Sequence, residues 1–293
     1  DNYIQGGLND YLPYANNPKI KDAAINLTAY LNLVKNSSKA IQVPTRSSNY
    51  NIIPSKSLYL DIDENKDIKG LPERFSKFKT NKLILPLKKN KNGLEKKDLA
   101  FIDLLEANNW ERPIYFNNTS LNGIGFDLKR NVIQEGFAYR LFPILNSKSE
   151  SLINSDLMYY NIMKNSHWRE LDNENTYYSE DYRGFIMNYR ATFNTLIRSL
   201  IDNGEYVKAL EVINKSLELI PDKSIMYDHF SVQIVSFLIE LNKKANMETE
   251  EKANEIADIT SKRADEILNY YFDNNINNKY EIQRNLVSLN ALA

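Results

Sequence analysis

From Phe193 onward the apolar residues recur at helical spacing, and this periodicity constrains the fold more than any other feature of the chain. Phe193, Leu196, Ile197, Leu200 and Ile201 form an i, i+3, i+4, i+7, i+8 stripe, the pattern of an amphipathic helix with one buried face. Asn203 and Gly204 stop that helix, because glycine adopts the left-handed conformation of a helix end at little cost. A second stripe, Tyr206, Ala209, Leu210, Ile213, Leu217 and Ile220, ends at Pro221, which has no N–H to continue a helix. Two antiparallel helices joined by a tight turn are expected.

The run GEYVKALEVINKSLELIP from Gly204 has a glycine for the turn, Tyr206 to fill the gap between helices, and small Ala209 and Ser216 where backbones approach. It resembles a tetratricopeptide repeat, whose unit is about 34 residues. Phe193, Leu196, Ile197 and Leu200 recur 34 residues later as Tyr227, Phe230, Ser231 and Ile234. Ala253, Ile256, Ala257, Thr260, Ala264, Ile267, Leu268 and Tyr271 supply a partner helix, after a loop, Asn242 to Thr249, that is longer than the pattern. The repeat implies that Asn194, Arg198, Asp228 and His229 face a concave groove suited to an extended peptide. Solvated helix surface is the alternative for each. Gly204, Tyr206, Ala209 and Pro221 are read as structural.

Upstream the signals are mixed. Short apolar runs predict strands at Ser57–Ile62, Lys82–Leu87, Pro113–Phe116 and Phe137–Ile144, with helices at Ile20–Val34 and Lys97–Asn108. A short helix at Asp156–Met163 and a polar, Tyr-bearing stretch lead to Ser179 as a connector. The expected fold is an α+β N-terminal domain with connector, residues 1–179, followed by an all-α tetratricopeptide-like helical hairpin domain, residues 180–293.

Composition removes several function classes. Lys and Arg number 37 against 38 acidic residues, so no global positive field holds nucleic acid. Without cysteine there is no disulfide framework or thiolate chemistry. The longest apolar stretches, such as Ile234–Leu241, fall well short of the roughly 18 residues of a spanning helix. The start at Asp1, without an initiator Met or signal-peptide pattern, is read as a boundary within a longer protein.

Catalytic constellations are not apparent. His167 and His229 are the only histidines, without zinc-type spacing or a G-x-S-x-G elbow. Asp61, Asp63, Asn65 and Asp67 start like a calcium loop, but Lys66 stands where the turn glycine belongs and Pro72 where the bidentate Glu belongs, which favours a solvated turn. No phosphate-cradling glycine motif occurs, and no cofactor or metal is expected. Lys88, Lys89, Lys91, Lys96 and Lys97 would suit anionic headgroups or simply a soluble loop. Tyr159, Tyr160, Tyr177, Tyr178, Tyr182 and Tyr189 would stack on sugar rings or, as the favoured reading, pack the two domains together.

Five phrases carry a wider resemblance: YIQGGLNDYLPY from Tyr3, NIIPSKSLYLDID from Asn51, LLEANNWERPIYF from Leu104, QEGFAYRLFPI from Gln134 and NSDLMYYNIM from Asn154. In this order, with the helical tail after them, they resemble the soluble C-terminal portion of the domain-of-unknown-function 2723 group, also classed as glycosyltransferase family 117. These bacterial multi-pass membrane proteins are similar to protein O-mannosyltransferases. The resemblance implies a domain on the periplasmic face of the inner membrane, beside the parent chain's own membrane half, which carries the catalytic acids and uses a lipid-linked sugar. Asn109, Trp110, Arg112, Pro113, Glu135, Gly136, Tyr139 and Arg140 match the family phrases without an assigned chemical role. On physical grounds Trp110, Arg112, Pro113, Glu135 and Arg140 are architectural, with Arg140 bracing Glu135 and holding it ionised. The expected function is a non-catalytic accessory domain that binds an acceptor polypeptide or partner protein. The alternatives are a purely structural module and, ranked last, an independent carbohydrate-active enzyme.

Overall fold

The computed structural model describes residues 11–15, 23–44, 49–148 and 152–293. The chain divides into two compact units, Asp1–Asn154 and Ser155–Ala293, so the stretch before Ser179 groups with the helices. A mixed α and β region comes first and an all-helical region follows, the expected order.

The first unit runs through β1 (Tyr11–Pro13), β2 (Ile25–Asn26), α1 (Leu27–Lys35), β3 (Gln42–Pro44), β4 (Asn49–Asn51), β5 (Ser57–Asp61), β6 (Lys82–Pro86) and β7 (Gly93–Glu95). It continues through α2 (Lys96–Asn108), β8 (Tyr115–Phe116), α3 (Asn118–Gly123), β9 (Val132–Gln134), β10 (Tyr139–Leu141) and β11 (Leu152–Ile153). β5 and β6 pair antiparallel, from Ser57 opposite Pro86 to Asp61 opposite Lys82, with β2 parallel beside β5. Their alternation sends Leu58, Leu60, Leu83 and Leu85 inward, onto Leu27, Tyr30, Leu31 and Val34 of α1 in one core. A second sheet, in the order β11-β9-β10-β8, takes in Tyr115 and Phe116 of the Leu104 phrase and Gln134 and Tyr139–Leu141 of the Gln134 phrase.

Local chemistry fixes the helix starts. Asn26 caps α1 by accepting the Ala29 N–H at 3.0 Å, so the expected helix from Ile20 begins later, and Ile20 to Asp22 lie outside the described residues. The first part of the Tyr3 phrase, up to Asp10, lies outside them as well. At α2, Asp98 accepts the Glu95 N–H at 2.9 Å and the Gly125 N–H at 2.7 Å while fully buried. A Cβ on Gly125 would stand 2.6 Å from that carboxylate, so glycine is required for the close approach. At the acidic turn, the Lys79 ammonium donates to the carbonyls of Glu64 and Lys66 at 3.2 and 3.0 Å. A protein cation holds the turn.

The second unit comprises α4 (Ser155–Tyr160), α5 (Glu180–Asp202), α6 (Tyr206–Leu219), α7 (His229–Ala245), α8 (Glu250–Asp273) and α9 (Lys279–Leu292). α5 packs on α6 and α7, α7 on α8, and α9 on both α7 and α8. The whole first stripe, Phe193 to Ile201, is buried, as are Ala209 and Ile213 of α6. Between α5 and α6, Gly204 has φ +78°, its N–H bonds to Ile201 O at 3.0 Å, and the Glu205 N–H reaches Leu200 O at 2.8 Å. This left-handed closure is the one expected from Asn203-Gly204.

Two features depart from the sequence reading. Tyr227 precedes α7 instead of lying on it, because Asp228 caps that helix in a capping box with Ser231. The loop after α7 is shorter than expected, residues 246–249, since the helix continues through Lys243 and Lys244 to Ala245. Trp168, in the stretch read as a connector, packs on Tyr189 and Phe193 with centroids 5.7 and 5.4 Å away. Among the described residues no helix is long and apolar enough to cross a membrane.

Candidate functional site

The N-terminal half of α5, the α6–α7 loop, α8 and α9 surround a cavity of about 1160 Å³. Its lining includes Tyr177 from the stretch before α5, Tyr227 of the α6–α7 loop, Phe230 of α7, Tyr271 of α8 and Tyr280 of α9. Tyr177 and Tyr280 are 83% and 67% exposed, so their rings are available at the rim.

The loop that forms one wall is held from three helices. Arg190 of α5 is 2% exposed, and its guanidinium donates to Met226 O at 2.7 Å, Ile220 O at 3.2 Å and Ile225 O at 2.6 Å. It also stands 3.3 Å from Asp228 Oδ2. Arg263 of α8 makes a two-pronged bond to Asp222 at 2.5 and 2.7 Å, and Asp222 accepts the Tyr227 N–H at 2.7 Å. Burial raises the Asp222 pKa, but Arg263 and the Tyr227 N–H more than offset it and the net direction is down. Asp228 accepts the Phe230 and Ser231 N–H groups at 2.8 and 3.4 Å at the start of α7.

His229 follows, half-buried, with Nδ1 3.3 Å from Arg284 Nη2. Burial, and then Arg284, push its pKa down, against Asp228 and Glu281. The ring is therefore neutral near neutrality, accepts from Arg284 at Nδ1 and carries its proton on Nε2. Of the four residues expected in a groove, Asp228 and His229 line the cavity. Asn194 is buried between α5 and α7, donating to Phe230 O at 2.9 Å and Gln233 Oε1 at 3.0 Å. Arg198 pairs with Glu240 at 2.7 Å and lies over Phe237 at 4.9 Å. Tyr206 opens α6, Ala209 is buried, and the Pro221 carbonyl accepts the Ser224 and Ile225 N–H groups at 3.1 and 3.0 Å.

In the first unit two phrase residues, Tyr115 and Asn154, bond to Glu135. Its Oε2 accepts the Tyr115 hydroxyl at 2.9 Å, and Asn154, also bonded to it, accepts from Arg74 at 2.9 Å. The Arg140 guanidinium lies 4.6 Å from the Phe142 ring centroid and 5.8 Å from that of Tyr115, and donates to Lys69 O. Arg140 does lower the Glu135 pKa, but burial is the larger cause and the carboxyl is pushed up. Burial thus outweighs the holding effect expected of the arginine. Trp110 is buried with φ +62° and no hydrogen bond at its indole nitrogen. Arg112 and Pro113 are exposed after it, and Asn108 bonds the Arg112 backbone at both N–H and carbonyl, 3.2 and 2.8 Å.

A family model described as TMEM260-associated domain 2 matches residues 1–157, more than half of the 293. The chain belongs to the TMEM260-associated domain 2 family. Comparisons with curated proteins and with solved structures return no match. The Glu135 cluster and the Asp98–Gly125 tie both lie within the TMEM260-associated domain 2 match, whereas the residues of the aromatic cavity lie after it. Arg190 and Arg263 were not singled out from sequence, because an arginine inside a polar helix stretch looks like any solvated one. Arg190's place at i−3 from Phe193, on the buried stripe, was the available signal.

Proposed function

We propose that the helical unit binds polypeptide, and that the chain is a non-catalytic accessory region of a multi-pass, glycosyltransferase-like membrane protein on the periplasmic face of the bacterial inner membrane. The cavity carries the binding reading. It is larger than the roughly 300–1,000 Å³ of small-molecule sites, it is lined by exposed aromatic rings, and its loop wall is fixed by Arg190 and Arg263. The TMEM260-associated description supports a membrane-protein context, and the phrase resemblance supports the finer glycosyltransferase-like assignment. On this reading the pairs α5–α6 and α7–α8 act as tetratricopeptide-like hairpins.

Equilibrium binding of a labelled, unfolded secreted polypeptide tests the proposal. The chain should bind, and Tyr177→Ala with Tyr280→Ala should weaken binding about tenfold. Absence of binding would remove the reading. A second reading, a module that stabilises the membrane half or its oligomer, is favoured by exposed Tyr270, Phe272, Ile276, Leu286 and Val287 toward the end of the unit. It fails if the parent protein lacking residues 190–293 assembles and unfolds normally.

A further inference from the structure

We infer that the cavity takes an acidic, proline-rich segment in extended conformation. The inference rests on the polypeptide-binding reading and narrows its ligand. The starting point is the balance of free donors and acceptors on the walls. Three carboxylates there are engaged: Asp222 by Arg263, Asp228 by Arg190 and the start of α7, and Glu281 by Arg284. Glu174 is the exception, an exposed side chain at the rim. Of the free groups, the terminal nitrogens of Arg183, the Lys223 ammonium and the His229 Nε2–H only donate, whereas the phenols of Tyr177, Tyr271 and Tyr280 and the Asn175 amide both donate and accept. Thr260, 3% exposed, adds a hydroxyl without a hydrogen-bond partner.

Arg183, Lys223 and His229 donors set among aromatic rings suit a ligand that offers acceptors. A proline-rich chain is such a ligand, since proline has no N–H and the polyproline helix leaves every carbonyl free. Its flat pyrrolidine rings also suit aromatic surfaces, and its stiffness lowers the entropy lost on binding. An amphipathic helix fits less well, because it needs a continuous apolar strip and the lining carries Asp222, Arg263 and Arg284. Charge supplies the second half of the inference. Arg183 and Lys223 are exposed on the cavity wall and, among the described residues, have no carboxylate partner. Two cations against Glu174 alone favour a ligand with acidic residues.

The test measures fluorescence anisotropy on the full chain with labelled peptides of about ten residues: proline-rich acidic, proline-rich basic and Gly/Ser-rich acidic. The same unfolded secreted polypeptide serves as a general binder. The proline-rich acidic peptide should bind about tenfold tighter than either of the other peptides. The doubly charge-reversed variant Arg183→Glu, Lys223→Glu, with its fold checked by circular dichroism, should reverse the acidic preference. If the unfolded polypeptide binds but the peptides do not differ, the inference falls and the polypeptide reading stands. If the preference survives charge reversal, the acidic half falls. If nothing binds, both readings fall.

Discussion

Arg190 has four polar partners within one loop and almost no contact with water. Arg190→Ala would leave three carbonyls without this donor and Asp228 Oδ2 without its cation, while Asp228 Oδ1 keeps the Phe230 and Ser231 N–H groups. The expected loss is about 3–5 kcal/mol, the range for breaking one side of a buried ion pair, read as a shift in the urea midpoint. A loss below about 1 kcal/mol would mean that water replaces the guanidinium. Two glutamates should titrate in opposite senses. Glu240 is held at about 2 by hydrogen bonds first from Arg198 and then from Lys244. Its stabilising contribution is complete above the unfolded value of about 4.3 and is lost as pH falls toward about 2. Glu135 is raised by burial, so its contribution is complete below the unfolded value and lost as pH rises through the raised one. Glu240→Gln should therefore destabilise at neutral pH and have little effect in strong acid. Glu135→Gln should instead stabilise at neutral pH and likewise have little effect in acid. Thermal unfolding across a pH series checks both signs, and curves parallel to wild type would refute them.

At the scale of elements, the α5–α6 turn offers a clean test, because a Cβ on Gly204 would meet nothing within 4 Å. The cost of Gly204→Ala is then conformational only, about 1 kcal/mol for an alanine at positive φ. A stability unchanged by the substitution would show that the turn relaxes to another geometry. α5, α6, β5 and β6 were legible because each buries one face, and one buried face writes a period into the sequence. β9 was not, since Val132, Ile133 and Gln134 are all buried and leave no alternation. α9 was missed for the opposite reason, as Ser288 is its only fully buried residue. The start of α7 was displaced by the 34-residue repeat, although Asp228 with Ser231 is a capping pair visible in sequence.

At the scale of the whole molecule, each unit has its own buried set, Leu12 to Leu141 in the principal cluster of the first and Met158 to Leu268 in the second. Residues 155–293 should fold when expressed alone, giving a helical circular dichroism spectrum and a cooperative melt. A broad, non-cooperative melt would show that the helices depend on the first unit. The lining of the candidate site was only partly legible: His229 and Asp228 do line the cavity, but Asn194 and Arg198 are spent on contacts between helices. Helical periodicity tells buried from exposed faces, and it does not tell which polar residue on a face meets a neighbouring helix. The α6–α7 loop, clasped by Arg190 and Arg263 and closed by Asp228, can open only when the helices that hold it come apart. The amide hydrogens of Ser224, Ile225 and Tyr227, bonded to Pro221 O and Asp222 Oδ1, should therefore exchange with solvent as slowly as those of the helical core. A ligand would then meet a wall whose shape is set beforehand, and binding would lose no entropy to the ordering of that segment.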